Sequence, residues 1–276
     1  MDRRRRAALI LALVAALALG GGWLALRPHP LRVCADPNNL PFSNRAGEGF
    51  ENRLAELLGR ELRRPVAYVW WAQRRGFVRN TIGAGTCDVW PGVTSGLETL
   101  ATTRPYYRSS YVFVTREADA LTGLTLDDPR LRRLRIGVQL VGDDGSNTPP
   151  AQALVRRGIV DNVTGFMLYG DYGRPSPAAE IVRAVADRRI DVALVWGPVA
   201  GYFARRVKPA LRIEPVTPWL DDRAWPMAFD IAVGVRKDDP GLRKEIDRAL
   251  ARHRGEIKAL LASYGVPSAG DEITTR

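Results

Sequence analysis

Three short loops of this chain carry polar and aromatic side chains at the ends of predicted strands. The strands are expected at residues 31–35, 65–70 and 86–90. In an open parallel sheet, ligands sit at the carboxyl ends of the strands, so these loops are expected to line a cleft. The candidate cleft residues in them are Asp36, Asn38, Asn39, Phe42, Trp70, Trp71, Arg74, Arg75, Trp90 and Thr94.

Tryptophan and arginine side chains at strand ends can stack on and clamp a planar, anionic ligand. Trp70 and Trp71 also have a structural interpretation, because adjacent residues on a strand face opposite sides of the sheet. One of the two is therefore expected in the core whatever the other one does.

A second set of candidates lies in the later part of the chain. A strand predicted at 134–139 precedes a loop rich in glycine and hydroxyl groups, and such a loop before a helix can hold an anion. Its two aspartates repel an anion, so the loop suits amine, hydroxyl or cation contacts at least as well, or is only a surface turn. The candidates in and beside this loop are Gln139, Asp143, Asp144 and Asn147. Three further candidates lie elsewhere: Trp196 later in the chain, and Arg104 and Tyr106 earlier in it.

The elements that position these residues alternate between strand and helix, which predicts an α/β fold with parallel strands and right-handed crossovers. The first helix shows the expected spacing of apolar residues, with Phe50, Leu54, Leu57, Leu58 and Leu62 on one face. A final helix is predicted after Asp239.

The N-terminus has the pattern of an export signal. Four arginines at 3–6 precede an apolar run at 7–26, which is also just long enough to span a bilayer. A cleaved signal peptide and an N-terminal membrane anchor both fit, and the arginines keep that end inside the cell. Residues 1–30 are therefore excluded from the fold, and the body is expected outside the cytoplasm.

Charge and cysteine content narrow the function classes. The chain has 276 residues and a net charge of +11, but its arginines are scattered, so no nucleic-acid site is predicted and an acidic partner stays open. Cys34 and Cys87 form an even pair, which in an oxidising compartment favours a disulfide if their strands are neighbours. The two cysteines and two histidines are too far apart in sequence to suggest a metal site.

Several long segments together resemble a known family. They are 32–44, 47–52, 73–81, 102–109 and 137–150. The order of elements resembles the amino-acid-type (family 3) periplasmic solute-binding proteins. Within them, these segments resemble the J proteins of the MxaJ/XoxJ type, which are encoded with pyrroloquinoline-quinone (PQQ) methanol dehydrogenase.

The resemblance implies a periplasmic, two-lobed type II binding-protein fold with two crossover segments and an interlobe cleft. It places lobe 1 at 31–115 and 225–276, and lobe 2 at 116–224. Two departures from amino-acid binders are visible in the sequence: residues 92–99 lack the carboxylate-binding arginine, and Val195–Pro198 lacks the ammonium-binding aspartate. Each lost charge-assisted contact is worth roughly 1.5–3 kcal/mol, so an amino-acid ligand is not expected.

The leading functional hypothesis is a non-catalytic accessory protein that helps a PQQ-dependent methanol dehydrogenase to mature, with that enzyme and its cytochrome c as partners. The alternative is the substrate-binding component of an ABC transporter for a small solute. An enzyme is not predicted, because no general acid or base has an orienting partner. Glu48 and Glu51 are interpreted as a helix start, which the helix dipole favours. No cofactor is predicted.

Overall fold

The structure, a computed structural model, describes residues 29–74, 76–140, 147–167, 172–221 and 225–269. The predicted export segment lies outside the described residues up to residue 28. None of the helices within the described ranges is both long and apolar enough to cross a membrane.

The strands and helices alternate along most of the chain. The strands are β1 (Leu31–Ala35), β2 (Asn38–Asn39), β3 (Ser43–Asn44), β4 (Val66–Trp70), β5 (Val89–Thr94), β6 (Ala101–Thr102), β7 (Tyr107–Arg116), β8 (Ile136–Leu140), β9 (Val163–Met167), β10 (Val192–Trp196), β11 (Leu211–Pro215), β12 (Leu220–Asp221), β13 (Trp225–Pro226) and β14 (Ala228–Val235). The α-helices are α1 (Phe50–Leu62), α2 (Phe77–Asn80), α3 (Pro149–Arg156), α4 (Glu180–Ala186), α5 (Gly197–Ala204), α6 (Pro240–Arg252) and α7 (Arg254–Ser263). Short 3-10 turns lie at Ile82–Ala84, Glu117–Asp119, Pro129–Arg132 and Pro177–Ala179.

The main sheet runs in the order β4-β1-β5-β14-β7-β10-β8-β9, with β6 and β11 attached to β14 and β7. Strands β4, β1 and β5 are parallel, as are β10, β8 and β9, whereas β14 and β7 pair antiparallel to their neighbours. The parallel sheet expected from the sequence is thus present within each lobe, and two antiparallel strands join the lobes. This confirms the two-lobed α/β fold.

Strand β7 belongs to both lobes. Its residues 107–110 pair with β14, and its residues 111–116 pair with β10 and β11. The crossing occurs inside a continuous strand, so the two lobes meet along a shared backbone. The lobe boundaries at 115/116 and 224/225 stay a prediction.

The apolar face of α1 explains the core of the first lobe. Phe50, Leu54 and Leu58 are fully buried and pack with strand β1 and with Ile246 of α6. Burying each such side chain contributes about 1.5–3 kcal/mol. The helix ends where Arg63 adopts a left-handed conformation with φ 54°. The first lobe therefore holds the N-terminus of α1 rigidly at the cleft.

The predicted disulfide is confirmed. Cys34 of β1 bonds to Cys87, which stands just before the neighbouring strand β5, and their Cα atoms are 5.5 Å apart. Both residues are buried beside Phe77 and Ile82. The bond fixes the two strands whose ends supply part of the cleft.

Three element boundaries differ from the sequence prediction. The third strand begins at Val89 rather than residue 86 and continues to Thr94, so Trp90 lies within it rather than in a loop. The helix α5 begins at Gly197, where the sequence analysis predicts no helix, and proline is tolerated in its first turn because that position needs no amide hydrogen. The final helix is interrupted at His253.

Candidate ligand-binding cleft

A cavity of about 250 Å³ lies between the two lobes. Its wall receives residues from the first lobe, from the strands that join the lobes, and from the second lobe. The lining residues are Asn39, Phe42, Glu51, Gln73, Gly92, Thr94, Tyr107, Tyr111, Ala178, Trp196, Val199, Phe229 and Ile231.

Three aromatic rings form one side of this cavity. The ring of Trp196 lies 5.3 Å from Tyr111 and 5.9 Å from Phe229, and all three meet edge to face. Trp196 and Tyr111 are opposite each other in the β10–β7 ladder, so the backbone sets their distance. Edge-to-face rings present both π faces and ring edges, which suits planar groups and cations.

Glu51 supplies a carboxyl group to the opposite wall. It is the second residue of α1, and only 8% of its surface is exposed. Gly92 makes room for it, because a Cβ atom at position 92 would collide with Glu51 Oε1. Burial raises the pKa of Glu51 well above its usual range, and the charge of nearby Asp36 raises it further. The carboxyl group therefore keeps its proton to a higher pH than an exposed glutamate does.

Two tyrosines adjoin this carboxyl group. Burial raises the pKa of the Tyr107 hydroxyl well above its usual value, and the charge of Glu51 adds to the shift. Burial also raises the pKa of the Tyr106 hydroxyl well above its usual value, and the charges of Tyr107 and Glu51 add to this shift. The surroundings of Glu51 are thus poorly hydrated. Neither tyrosine supplies a positive charge that would compensate the charge of an ionised Glu51.

The mouth of the cleft is closed by hydrogen bonds between the lobes, which we call the Asn38 latch. The Asn38 side chain donates to the Arg174 carbonyl (2.8 Å) and accepts from the Ser176 amide (3.1 Å). Beside it, Asp36 accepts from the Tyr172 hydroxyl and from the Gln73 amide (2.6 Å). The structure is therefore a closed form, in which segment 172–176 rests on the loop after β1.

The predicted site residues divide into those at the cavity, those beside it and those elsewhere. Asn39, Phe42, Thr94 and Trp196 line the cavity itself.

Beside the cavity, Asp36 and Asn38 close its mouth, and the Arg74 guanidinium lies 5.7 Å above the Tyr172 ring. Gln139 is buried and accepts a hydrogen bond from the Trp196 amide at 3.0 Å, so it positions that residue.

The structure does not bring the other described candidates to the cavity. Trp70 is half-buried and stacks on Tyr68, whereas Trp71 is 43% exposed, so neither is fully in the core. Trp90 packs on Phe77 within the first lobe.

The remaining described candidates also lie apart from it. Arg104 is exposed next to Asp247, Tyr106 packs against the first-lobe core, and Asn147 pairs with Leu140. Arg75, Asp143 and Asp144 lie outside the described residues.

The sequence analysis missed Glu51, Gln73, Tyr107, Tyr111 and Phe229 as cavity residues. One available signal is the spacing of Tyr107 and Tyr111, because residues four apart on a strand share a face. Glu51 offers no comparable signal, since a carboxylate in the first turn of a helix is ordinary.

Comparison with known proteins agrees with this fold. The family model for bacterial extracellular solute-binding proteins, family 3, matches residues 31–267. Protein MoxJ of Methylorubrum extorquens is 33% identical over 295 residues, covering 96% of each chain. The crystal structure of the periplasmic binding protein XoxJ from Methylobacterium extorquens AM1 superposes with a TM-score of 0.71 at 34% identity, covering 87% of this chain and 100% of that one.

A third match is the crystal structure of MxaJ from Methlophaga aminisulfidivorans, with a TM-score of 0.74 at 27% identity over 87% of this chain and all of that one. The chain therefore belongs to the family 3 solute-binding proteins. Within that family, its resemblance to the MxaJ/XoxJ type is confirmed by these full-length relatives.

Proposed function

We infer that this chain is a non-catalytic periplasmic accessory protein of a PQQ-dependent methanol dehydrogenase, and that it binds a ligand or a protein segment in its interlobe cleft. The observation that carries this proposal is the similarity to MoxJ over 96% of both chains. The J proteins that this chain resembles are encoded with that enzyme. The proposed partners are therefore the dehydrogenase and its cytochrome c.

The wall of the cleft supports a role other than amino-acid uptake. The segment at 92–99 corresponds to the one that holds the carboxylate-binding arginine in amino-acid binders, and it has no arginine here; its Gly92, at the end of β5, faces Glu51. The strand end that carries the ammonium-binding aspartate in those proteins carries Trp196. The carboxylate of an amino acid or of a polycarboxylate quinone would therefore meet a carboxyl group and aromatic rings, which favours a ligand without a carboxylate.

The cleft also supports a binding role over catalysis. Among the described residues that line the cavity, Glu51 is the only carboxyl group, and no described side chain orients it by a hydrogen bond. General acid–base catalysis needs a proton donor or acceptor held in a defined geometry. The site instead has the character of a binding pocket, because it is concave and combines aromatic rings with a few polar groups.

Export and charge fit the same proposal. The N-terminal arginines and apolar run support a periplasmic body, either free or held by the N-terminal segment. The net charge of +11 would speed the encounter with an acidic partner, because opposite charges steer association.

Deleting the gene and measuring methanol dehydrogenase in the periplasm tests the proposal. We expect the dehydrogenase polypeptide to accumulate with low specific activity, and we expect the plasmid-borne gene to restore it. Normal specific activity in the deletion strain would contradict the accessory role.

The size of the cavity favours one alternative, a transporter component for a small solute. In that case deletion would abolish uptake of one solute and leave the specific activity of the dehydrogenase unchanged.

A further inference from the structure

We propose that the interlobe cavity binds a small organic cation, with Glu51 as the counter-ion and the rings of Trp196, Tyr111 and Phe229 as the surface that covers the cation. The proposal deepens the proposed function, because it assigns a ligand class to the same cleft.

The first argument is the position of the carboxyl group. Glu51 is more than nine-tenths buried, yet it forms part of the cavity wall. Among the described residues, neither an ion pair nor a side-chain hydrogen bond engages its carboxyl oxygens. A buried carboxylate is stabilised chiefly by an opposite charge within hydrogen-bonding distance. A cationic ligand in the cavity would supply that charge.

The second argument is the set of groups that face Glu51. Asp36 approaches from the loop after β1, Tyr106 and Tyr107 approach from the start of β7, and Gly92 approaches from β5. Asp36 repels an ionised Glu51, the tyrosines carry no charge in the neutral pH range, and Gly92 brings only backbone. These neighbours make the wall attractive to a cation and repulsive to an anion.

The third argument is the aromatic wall. Trp196 is 5.3 Å from Tyr111 and 5.9 Å from Phe229, so three ring systems border one small cavity. Cations within about 6 Å of a ring centroid are attracted by the ring quadrupole, most strongly by tryptophan. Alkylated ammonium groups match this wall best, because their methyl groups also bury apolar surface.

The fourth argument links ligand binding to the proton on Glu51. Burial raises the pKa of Glu51 in the free protein, whereas a bound cation favours the ionised form. Binding therefore releases a proton over the pH range in which Glu51 is protonated in the free protein. Affinity should rise about tenfold per pH unit there and level off above the raised pKa.

The test uses the purified protein and a matched pair of probes. Choline carries a trimethylammonium group, and 3,3-dimethyl-1-butanol is its neutral carbon analogue of nearly equal shape. In titration calorimetry at neutral pH, we expect choline to bind at least tenfold more tightly than the neutral alcohol. The measured heat should change with the ionisation enthalpy of the buffer, which reports the released proton.

Two variants make the test specific. Glu51→Gln should lose at least tenfold in choline affinity and lose the buffer dependence, whereas its affinity for the neutral alcohol stays the same. Glu48→Gln is the matched control, because Glu48 is exposed near the same helix end and its carboxylate accepts a hydrogen bond only from Asn44 among the described side chains. It should bind choline like the wild type. Thermal melting verifies that both variants are folded.

Equal affinity for choline and the neutral alcohol would overturn the proposal, as would an unchanged choline affinity in Glu51→Gln or the absence of choline binding at millimolar concentration. These outcomes concern the purified protein alone. The proposed function fails separately, if the deletion strain keeps normal dehydrogenase activity.

Discussion

The two lobes are stabilised differently and contribute different chemistry to the cleft they share. The first lobe contains the Cys34–Cys87 bond and supplies carboxyl, amide and hydroxyl groups to the cavity wall. The described part of the second lobe contains no cysteine, is braced by arginine–aspartate clusters, and supplies Trp196 with small aliphatic residues. The polar groups of the wall thus come from the first lobe, and the second lobe adds Trp196 to the aromatic rings of Tyr111 and Phe229 on the strands that join the lobes.

The carboxyl groups sharpen this contrast. In the second lobe, Asp191 pairs with Arg135 and with buried Arg116, and the hydrogen bond from Arg135 lowers its pKa to about 2. In the first-lobe wall, Glu51 has its pKa raised by burial. The half-buried Asp191 and the buried Glu51 thus have opposite pKa shifts, because arginines pair with the first and no described cation pairs with the second.

The largest expected effect comes from breaking the covalent bond of the first lobe. The bond spans 53 residues, so replacing both cysteines by alanine should lower the free energy of unfolding by about 4 kcal/mol. Denaturant unfolding measures the loss, and hydrogen exchange should locate the faster exchange in β1 and β5. Reduced wild-type protein is the control and should match the double variant. A loss below about 1 kcal/mol would mean that the bond does not stabilise this lobe.

Breaking an arginine–aspartate cluster should have the next largest effect, this time on the second lobe. Asp221 is buried and accepts hydrogen bonds from Arg156 and from Arg157 (2.9 and 3.0 Å). Asp221→Asn should cost about 1–3 kcal/mol, because two guanidinium groups lose their shared anion. Asp127→Asn is the control, since that carboxylate is exposed and pairs with the same Arg157.

The pH dependence of this loss has a defined sign. The hydrogen bond from Arg157 lowers the pKa of Asp221, so its stabilisation is complete above the unfolded-state pKa and disappears as the pH falls through the folded-state pKa. The difference between wild type and Asp221→Asn should therefore shrink in acid. A constant difference down to strongly acidic pH would argue against the ion pairs as its source.

Opening the Asn38 latch should have a smaller effect. Asn38→Ala removes two hydrogen bonds between the lobes and should shift the equilibrium toward the open form by about 1–2 kcal/mol. Small-angle scattering should show a larger radius of gyration, with little change in melting temperature. Asn44→Ala is the matched control, because Asn44 bonds only within the first lobe among the described contacts. Equal scattering curves for all three proteins would mean that the latch does not hold the lobes together.

The smallest expected effect on stability is a gain from Glu51→Gln. The folded-state pKa of Glu51 lies above the unfolded value, so stability falls as the pH rises from the unfolded-state pKa through the folded-state pKa. An amide cannot ionise, and the variant should therefore melt at a higher temperature than the wild type at neutral pH and at the same temperature in mild acid. A lower melting temperature at neutral pH would show that the ionised carboxyl group is stabilised by the protein.

Much of the fold is predictable from local patterns, and the exceptions have physical reasons. The face of α1 and the strands β1 and β4 follow apolar spacing, which depends only on neighbours in sequence. The end of β5 does not follow from its local sequence, because Pro91 and Gly92 predict a loop there. The strand continues there because β14 pairs with it through a bulge next to Val233. That partner is more than a hundred residues away in sequence.

The candidate site divides in the same way. Asn39, Thr94 and Trp196 follow from the rule that ligands sit at strand ends. Glu51 and Phe229 become cavity residues only when the two lobes close on each other, which no local pattern reports. The sequence shows that the charged residues with which amino-acid binders hold their ligand are absent. Only the fold shows that the carboxyl group of Glu51 faces Gly92.

In the proposed accessory role the chain acts through its interlobe cleft, and filling the cleft tests that role most directly. Thr94 is exposed at the cavity, so Thr94→Trp should occupy the cavity without disturbing the core, whereas Thr99→Trp places the same side chain on the surface outside the cavity lining. Both variants are returned to the deletion strain at equal periplasmic levels, and the specific activity of methanol dehydrogenase is measured. We predict that Thr99→Trp restores activity like the wild type and that Thr94→Trp does not. Full restoration by Thr94→Trp would contradict the account.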